Sequence, residues 1–222
     1  MDVFIDALSY AAANSERLWR AVGRHLLLSG VALAVSIVVG VALGIFIARR
    51  VRLAQGVIAA VGTLRLIPSL AVLFLVLPYL GLGVRPALFA LTLLALPPVL
   101  INTYAGLRGV APPVVEAALG VGMTAGQSLW RIELPLALPA ILTGIRIATV
   151  ETIASATLAS FINGGGLGEF IQIGFALNRV SVMLVGAIPV TALALGAELL
   201  FDGAQWTISR RTGVGEGGAP AG

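Results

Sequence analysis

Residues 112–139 read PPVVEAALGVGMTAGQSLWRIELPLALP, a stretch that carries charge yet resembles neither a membrane span nor a soluble domain. Pro112 and Pro113 can open a helix, because its first positions need no amide donor. Glu116 near that start suits the positive end of the helix dipole. Ala117 and Ala118 are strong helix formers, and Gly120 and Gly122 then break the run and permit a tight turn. Thr124 with Gln127 three positions later predicts a capping box opening a second helix. Leu129, Ile132 and Met123 would form its apolar side, Trp130 would anchor at an interface, and Pro135 and Pro139 would end it. The stretch reads as a helical knob without a catalytic set. On these residues alone it is either a surface that takes up force or position from a partner, or an ordinary amphipathic connection.

The surroundings decide the fold class. Hydrophobic residues make up 59% of the 222 residues and charged residues 11%, whereas an ordinary soluble domain carries about 25% charged residues. A soluble fold of this size would have to hide nearly all of its chain, so the chain is predicted to be all-α and polytopic in a membrane. The net charge of +4 is no sign of nucleic-acid binding, because the arginines sit at the ends of apolar runs, as topology signals do. Without cysteine there is no disulfide or Cys-ligated metal, and with His25 as the only histidine there is no His-pair metal site within one chain.

Working outward from the knob, five spans are predicted. Residues 1–24 mix Asp2, Asp6 and Glu16 with Phe4, Ile5, Leu8 and Tyr10, and read as a short amphipathic helix at the membrane surface rather than a signal peptide. Leu26–Ala48 is uncharged and at 1.5 Å per residue spans roughly 34 Å. Its Gly40 and Gly44 form a small-residue step for close helix contact. Arg49, Arg50 and Arg52 then mark a cytoplasmic end. Leu53–Leu80 is interrupted by Arg65 and Pro68, and is either one kinked span or two short pieces. A third span, Pro86–Tyr104, is expected to bend or break at Pro97–Pro98. The fourth covers Ala140–Phe161 and the last Ser181–Phe201, with Glu198 and Asp202 near its inner end and a flexible tail after it. The domain reading is thus 1–24, a transmembrane unit over 25–205 with its coupling region at 112–135, and a cytoplasmic tail over 206–222.

Four residues stand out as candidates for a translocation path: Arg65, Asn102, Arg146 and Glu151. Charged groups inside a membrane face protein or a polar cavity rather than lipid, although Arg65 near the start of its span can also snorkel to the interface. Arg146 and Glu151 stand five positions apart, which does not stack them on one helix face, so each is expected to meet a different neighbour. The run Asn163–Gly168 is a glycine-rich outer loop; it lacks the Gly-Lys-Ser/Thr ending of a phosphate-binding loop.

The knob resembles the EAA motif of ATP-binding-cassette importer permeases: E-A-A, three residues, G, nine residues, I, one residue, L-P. Glu116, Ala117, Ala118, Gly122, Ile132, Leu134 and Pro135 meet every position of it. The likeness extends over roughly residues 20–205 and implies a five-helix permease core in a bacterial or archaeal cell (inner) membrane. It implies that these seven residues seat a cytoplasmic ATPase dimer, which would bind the ATP and Mg, and that this chain binds no cofactor and is not itself an enzyme. It further implies a second permease subunit, either an identical copy or a close paralogue, and an extracytoplasmic solute-binding protein. A narrower resemblance, to permeases for glycine betaine, choline and carnitine, rests on LRLIPSLAVL at 64–73, NTYAGLRGV at 102–110, EAALGVGMT at 116–124, LWRIELPLALPAILTGIRIATVETIASATLA at 129–159 and GGGLGEFI at 165–172. At position 151 that resemblance implies tryptophan or another apolar residue, and this chain has Glu151. The alternatives are a permease for another small solute, such as an amino acid, or a secondary transporter, for which Glu151 and Glu198 would be pieces of an ion site.

Overall fold

The computed structural model describes residues 2–212, with side chains to Gly203. Of the predicted tail over 206–222, residues 213–222 lie outside them. Ten α-helices follow in order: α1 Asp2–Ala13, α2 Ser15–Ala48, α3 Val51–Leu64, α4 Ser69–Leu80, α5 Val84–Arg108, α6 Pro112–Gly120, α7 Ala125–Ser128, α8 Leu134–Ser155, α9 Gly168–Ala176 and α10 Val180–Thr212. A π-turn, Leu129–Glu133, joins α7 to α8, and a 3₁₀ segment, Ala156–Ile162, extends α8 outward. Among the described residues four helices are long and apolar enough to cross a membrane, and α3 and α4 meet the same criterion only together, as a pair bent by 97° at their break.

The core is the packing of α2, α5 and α8. Small residues set its spacing. A Cβ built at Gly44 would lie 2.7 Å from Thr103 Cβ, one at Gly40 would lie 2.9 Å from a Val99 methyl, and one at Gly144 would lie 2.6 Å from Pro98 O and from Asn102 Cβ. The predicted Gly40/Gly44 step is therefore the α2–α5 contact, and Gly144 gives the α5–α8 contact. Packing at this distance rather than hydrophobic burial holds membrane helices together, because lipid is as apolar as leucine. Leu28, Ala32, Leu73, Ala87, Leu91 and Ile162 close the outer half of the core.

Several boundaries depart from the sequence reading. The surface helix predicted over 1–24 stops at Ala13, and residues 15–24 are the first turns of α2. The reason is a continuing stripe: Leu18, Ala21 and Val22 pack with Phe170, Val182 and Val185 and Leu28 and Ala32 carry the same helical spacing into the core. α5 runs unbroken through Pro97–Pro98. The two prolines leave the carbonyls of residues 93 and 94 without an in-helix donor, and in the turn before them Ser36 of α2 donates to Thr92 O at 2.9 Å. Close packing of α2 and α8 on α5 just past the prolines holds the helix where propensity alone would end it. Pro135 and Pro139 do not end the second knob helix either. The chain passes from Ala125 to Ile162 as one helical run. The wide π-turn, closed by Leu134 N–H donating to Leu129 O, precedes Pro135 and absorbs its missing donor. α9 was not predicted, and α10 continues past Phe201 to Thr212.

The bent pair confirms an interruption at Arg65–Pro68. α3 starts at Val51, just after Arg49 and Arg50 and with Arg52 in its first turn, while α4 ends beside the outer loop, where Gly83 N–H donates to Ile162 O at 2.7 Å. The Asn163–Gly168 run forms the outer rim with that loop; Arg24 donates to Gly164 O at 3.2 Å across it.

Candidate functional site

Two groups of residues are candidates for function: the knob at the inner end and the charges within the membrane. In the knob, α6 closes with a Schellman turn. Met123 N–H donates to Ala118 O at 3.1 Å and Gly122 N–H to Leu119 O at 3.0 Å, with Gly122 at φ +88°. This is the left-handed position that ends many helices and that glycine fills without steric cost. The chain then reverses into the predicted capping box: Gln127 N–H donates to Thr124 Oγ1 at 3.3 Å and Thr124 N–H to Gln127 Oε1 at 2.8 Å.

The rest of the knob is rooted and its tip is bare. Leu129 and Leu134 pack on Ala48, Leu107, Ala137 and Ile141. Glu133, with its side chain only 15% exposed, accepts from Ser128 Oγ at 3.0 Å and from Arg49 at 3.3 Å. Arg49 also donates to Ala125 O at 2.9 Å. One arginine at the inner end of α2 thus braces both the start of α7 and the π-turn. A cleft of about 390 Å³ lies between the two halves of the knob, lined by Arg49, Arg108, Glu116, Leu119, Ser128 and Glu133 among others. Ala118 is buried, Ile132 and Leu134 are half-buried, and Glu116, Ala117, Gly122 and Pro135 are exposed. Val121 is 78% and Trp130 70% exposed.

Of the four membrane candidates, the structure brings two together. Arg65, at the α3–α4 break, donates to Glu151 of α8 at 3.0 Å. The two line a cleft of about 440 Å³ with Leu66, Ile67, Ser69 and Leu94. Arg146 turns elsewhere: its Nε donates to Glu198 of α10 at 3.0 Å, and it also pairs with Asp202. Arg146 and Glu151 meet different neighbours, as their spacing predicts. Asn102 stands apart from both; its Nδ2 donates to Pro98 O at 2.8 Å within its own helix, under Gly144.

The sequence reading missed the brace from Arg49 through Glu133 to Ser128. In the sequence Arg49 reads as a topology signal only, and Glu133 falls in the one-residue gap between the motif positions Ile132 and Leu134. The signal that points to it is an acid inside an otherwise apolar LWRIELPL run, which needs a partner. The sequence reading also missed His25, which is buried, with Nε2 3.0 Å from Ile153 O. Among the described residues no group of three or more His, Cys, Asp or Glu is placed to hold a metal ion.

Comparison with known proteins follows the same lines. The family described as binding-protein-dependent transport system inner membrane component matches residues 40–214. The glycine betaine/carnitine/choline transport system permease protein OpuCB of Bacillus subtilis is 41% identical over 85% of this chain and 87% of its own length. The carnitine transport permease protein OpuCB of Listeria monocytogenes is 40% identical over 92% of this chain and 94% of its own length. The osmoprotectant import permease protein OsmW of Salmonella typhimurium is 35% identical over 90% and 96%. Among solved structures, the inward-facing MetNI methionine ABC transporter superposes with a TM-score of 0.78 at 22% identity, covering 87% of this chain and 97% of that one. An amino acid ABC transporter with histidines gives 0.67 at 21%, covering 94% and 98%. These two share the fold.

Proposed function

The chain belongs to the binding-protein-dependent transport system inner membrane components, and on that premise we propose that it is the permease subunit of an importer for quaternary-amine osmoprotectants, driven through its knob. That it is a multi-pass inner-membrane permease subunit of an ABC importer, rather than an enzyme or a secondary transporter, follows from family, relatives and fold together. The substrate class is the proposal. It rests on relatives named for glycine betaine, carnitine and choline that match this chain nearly end to end.

The observation that carries the mechanical reading is the position of Glu116, Ala117, Ala118, Gly122, Ile132, Leu134 and Pro135. They lie on one braced, partly exposed projection at the arginine-rich end of the spans. An ATPase seated there would move α6 and α7 as a block, and the π-turn would pass that motion into α8, whose Arg146 grips α10. Two such subunits would form the pathway along their interface. A solute-binding protein on the other face would hand over the substrate, and rigid-body motion would alternate the access. ATP and Mg belong to the ATPase; this chain supplies the path. The cargo is tested with the assembled complex in proteoliposomes, by uptake of radiolabelled glycine betaine, choline and methionine. The expected result is uptake of the quaternary amines; uptake of methionine alone overturns the substrate class. The seat is tested by replacing Glu116 or Gly122 with a bulky residue. Capture of the ATPase should fall while the permease still inserts and stays folded, and unchanged capture with coupled transport overturns the assignment of those residues.

A further inference from the structure

The Arg65–Glu151 cleft reaches the middle of the spanning helix α5. It includes Leu94 of α5. In α5, which spans Val84–Arg108, that residue is about 15 Å from the outer end and about 21 Å from the inner end at 1.5 Å per residue. The same cleft holds the break between α3 and α4, bent by 97°. A discontinuous helix with charge at the bilayer midplane marks where transporters hold their cargo. Both side chains remain partly exposed, 46% for Arg65 and 43% for Glu151. Charges so exposed at this depth cannot face hydrocarbon and must face a polar cavity or a second subunit.

The chemistry of the cleft narrows what fits. Its lining is Arg65, Leu66, Ile67, Pro68, Ser69, Leu94, Glu151, Thr152, Ala154 and Ser155, without an aromatic ring. A quaternary ammonium group therefore meets a carboxylate and aliphatic groups rather than an aromatic cage. A bare cation that draws Glu151 away leaves Arg65 without its partner, and a bare anion does the same to Glu151; at this exposure either costs up to about 1 kcal/mol. A zwitterion leaves neither charge unpaired. Its ammonium takes Glu151, its carboxylate takes Arg65, and the pair closes again when it leaves. Accordingly, resting on the substrate class proposed above, we infer that Arg65 and Glu151 form an exchangeable ion pair in the pathway that selects zwitterionic quaternary amines, such as glycine betaine and carnitine, over purely cationic ones such as choline.

The test uses the full complex in proteoliposomes and measures the ratio of glycine betaine to choline uptake in the same preparation. Each ratio is divided by that of the unmodified complex, so the binding protein's own preference and the amount of folded protein both cancel. Arg65→Gln leaves an acid with no competing arginine and should shift the ratio toward choline. Glu151→Gln leaves an arginine that repels cations and should shift it toward glycine betaine. Each shift should be about threefold or more, the size that loss of one charged partner at a partly exposed site produces. Glu151→Asp keeps the charge and should keep the direction of the original preference. Equal loss of both substrates in both glutamine variants, with the ratio unchanged, overturns the inference and leaves a structural latch. No uptake of either amine by the unmodified complex overturns the substrate class itself, and the inference with it.

Discussion

Gly122 shows how one residue ties backbone geometry to the knob. Its φ of +88° lies in the left-handed region, and a Cβ there would meet nothing within 4 Å. The cost of a side chain is therefore conformational rather than steric, about 1–2 kcal/mol for an L-residue. Gly120, two residues earlier, is the last residue of α6 and has the same open surroundings. Gly122→Ala should lower the protection of α6 amides against hydrogen exchange by roughly tenfold, the equivalent of that cost. Gly120→Ala should leave it unchanged or raise it. Equal effects at the two positions would mean that the turn does not depend on its left-handed residue. The motif spacing singles out Gly122, and the Schellman bonds give the physical reason. Thr124 and Gln127 were legible because a capping box is a local bargain between side chains three apart. Arg65–Glu151 and Arg146–Glu198 were legible only as unsatisfied charges in apolar runs, since their partners stand 86 and 52 positions away.

At the scale of elements, long apolar runs with arginine flanks gave away the spans, and the Arg65–Pro68 interruption gave away the bent pair. Errors came where a helix is held by its neighbours. Pro97–Pro98 reads as a bend or a break and Pro135 as an end by propensity, yet α5 is continuous and a π-turn carries the chain past Pro135. α9, at Gly168–Ala176, was missed because nine residues containing two glycines carry little helical signal; its Phe170 is buried among residues from α1, α2 and α10. The close approach of α5 and α8 makes its own prediction. Gly144→Leu puts a side chain where even a Cβ lies 2.6 Å from Pro98 O. Overpacking of this kind costs about 1–3 kcal/mol, so the variant should lose structure at a lower temperature in detergent, with an unchanged midpoint contradicting the crossing. The knob's own sequence would be untouched, so ATPase capture by surviving protein should persist.

At the scale of the molecule, the account is a lever. An exposed tip at Val121 and Gly122 is braced by Arg49 and Glu133, continues through the π-turn into α8, and reaches the Arg65–Glu151 cleft beside the middle of α5. The absence of cysteine in the sequence allows this to be tested with single cysteines on a clean background. The decisive measurement places one at Val121, 78% exposed at the knob tip, and one at Leu82, 68% exposed in the loop at the other end of the spans. Each is cross-linked in the complex assembled with its ATPase. An ATPase adduct is expected from Val121→Cys and none from Leu82→Cys. An adduct from Leu82→Cys, or none from Val121→Cys in a complex that still hydrolyses ATP and transports, would contradict the lever.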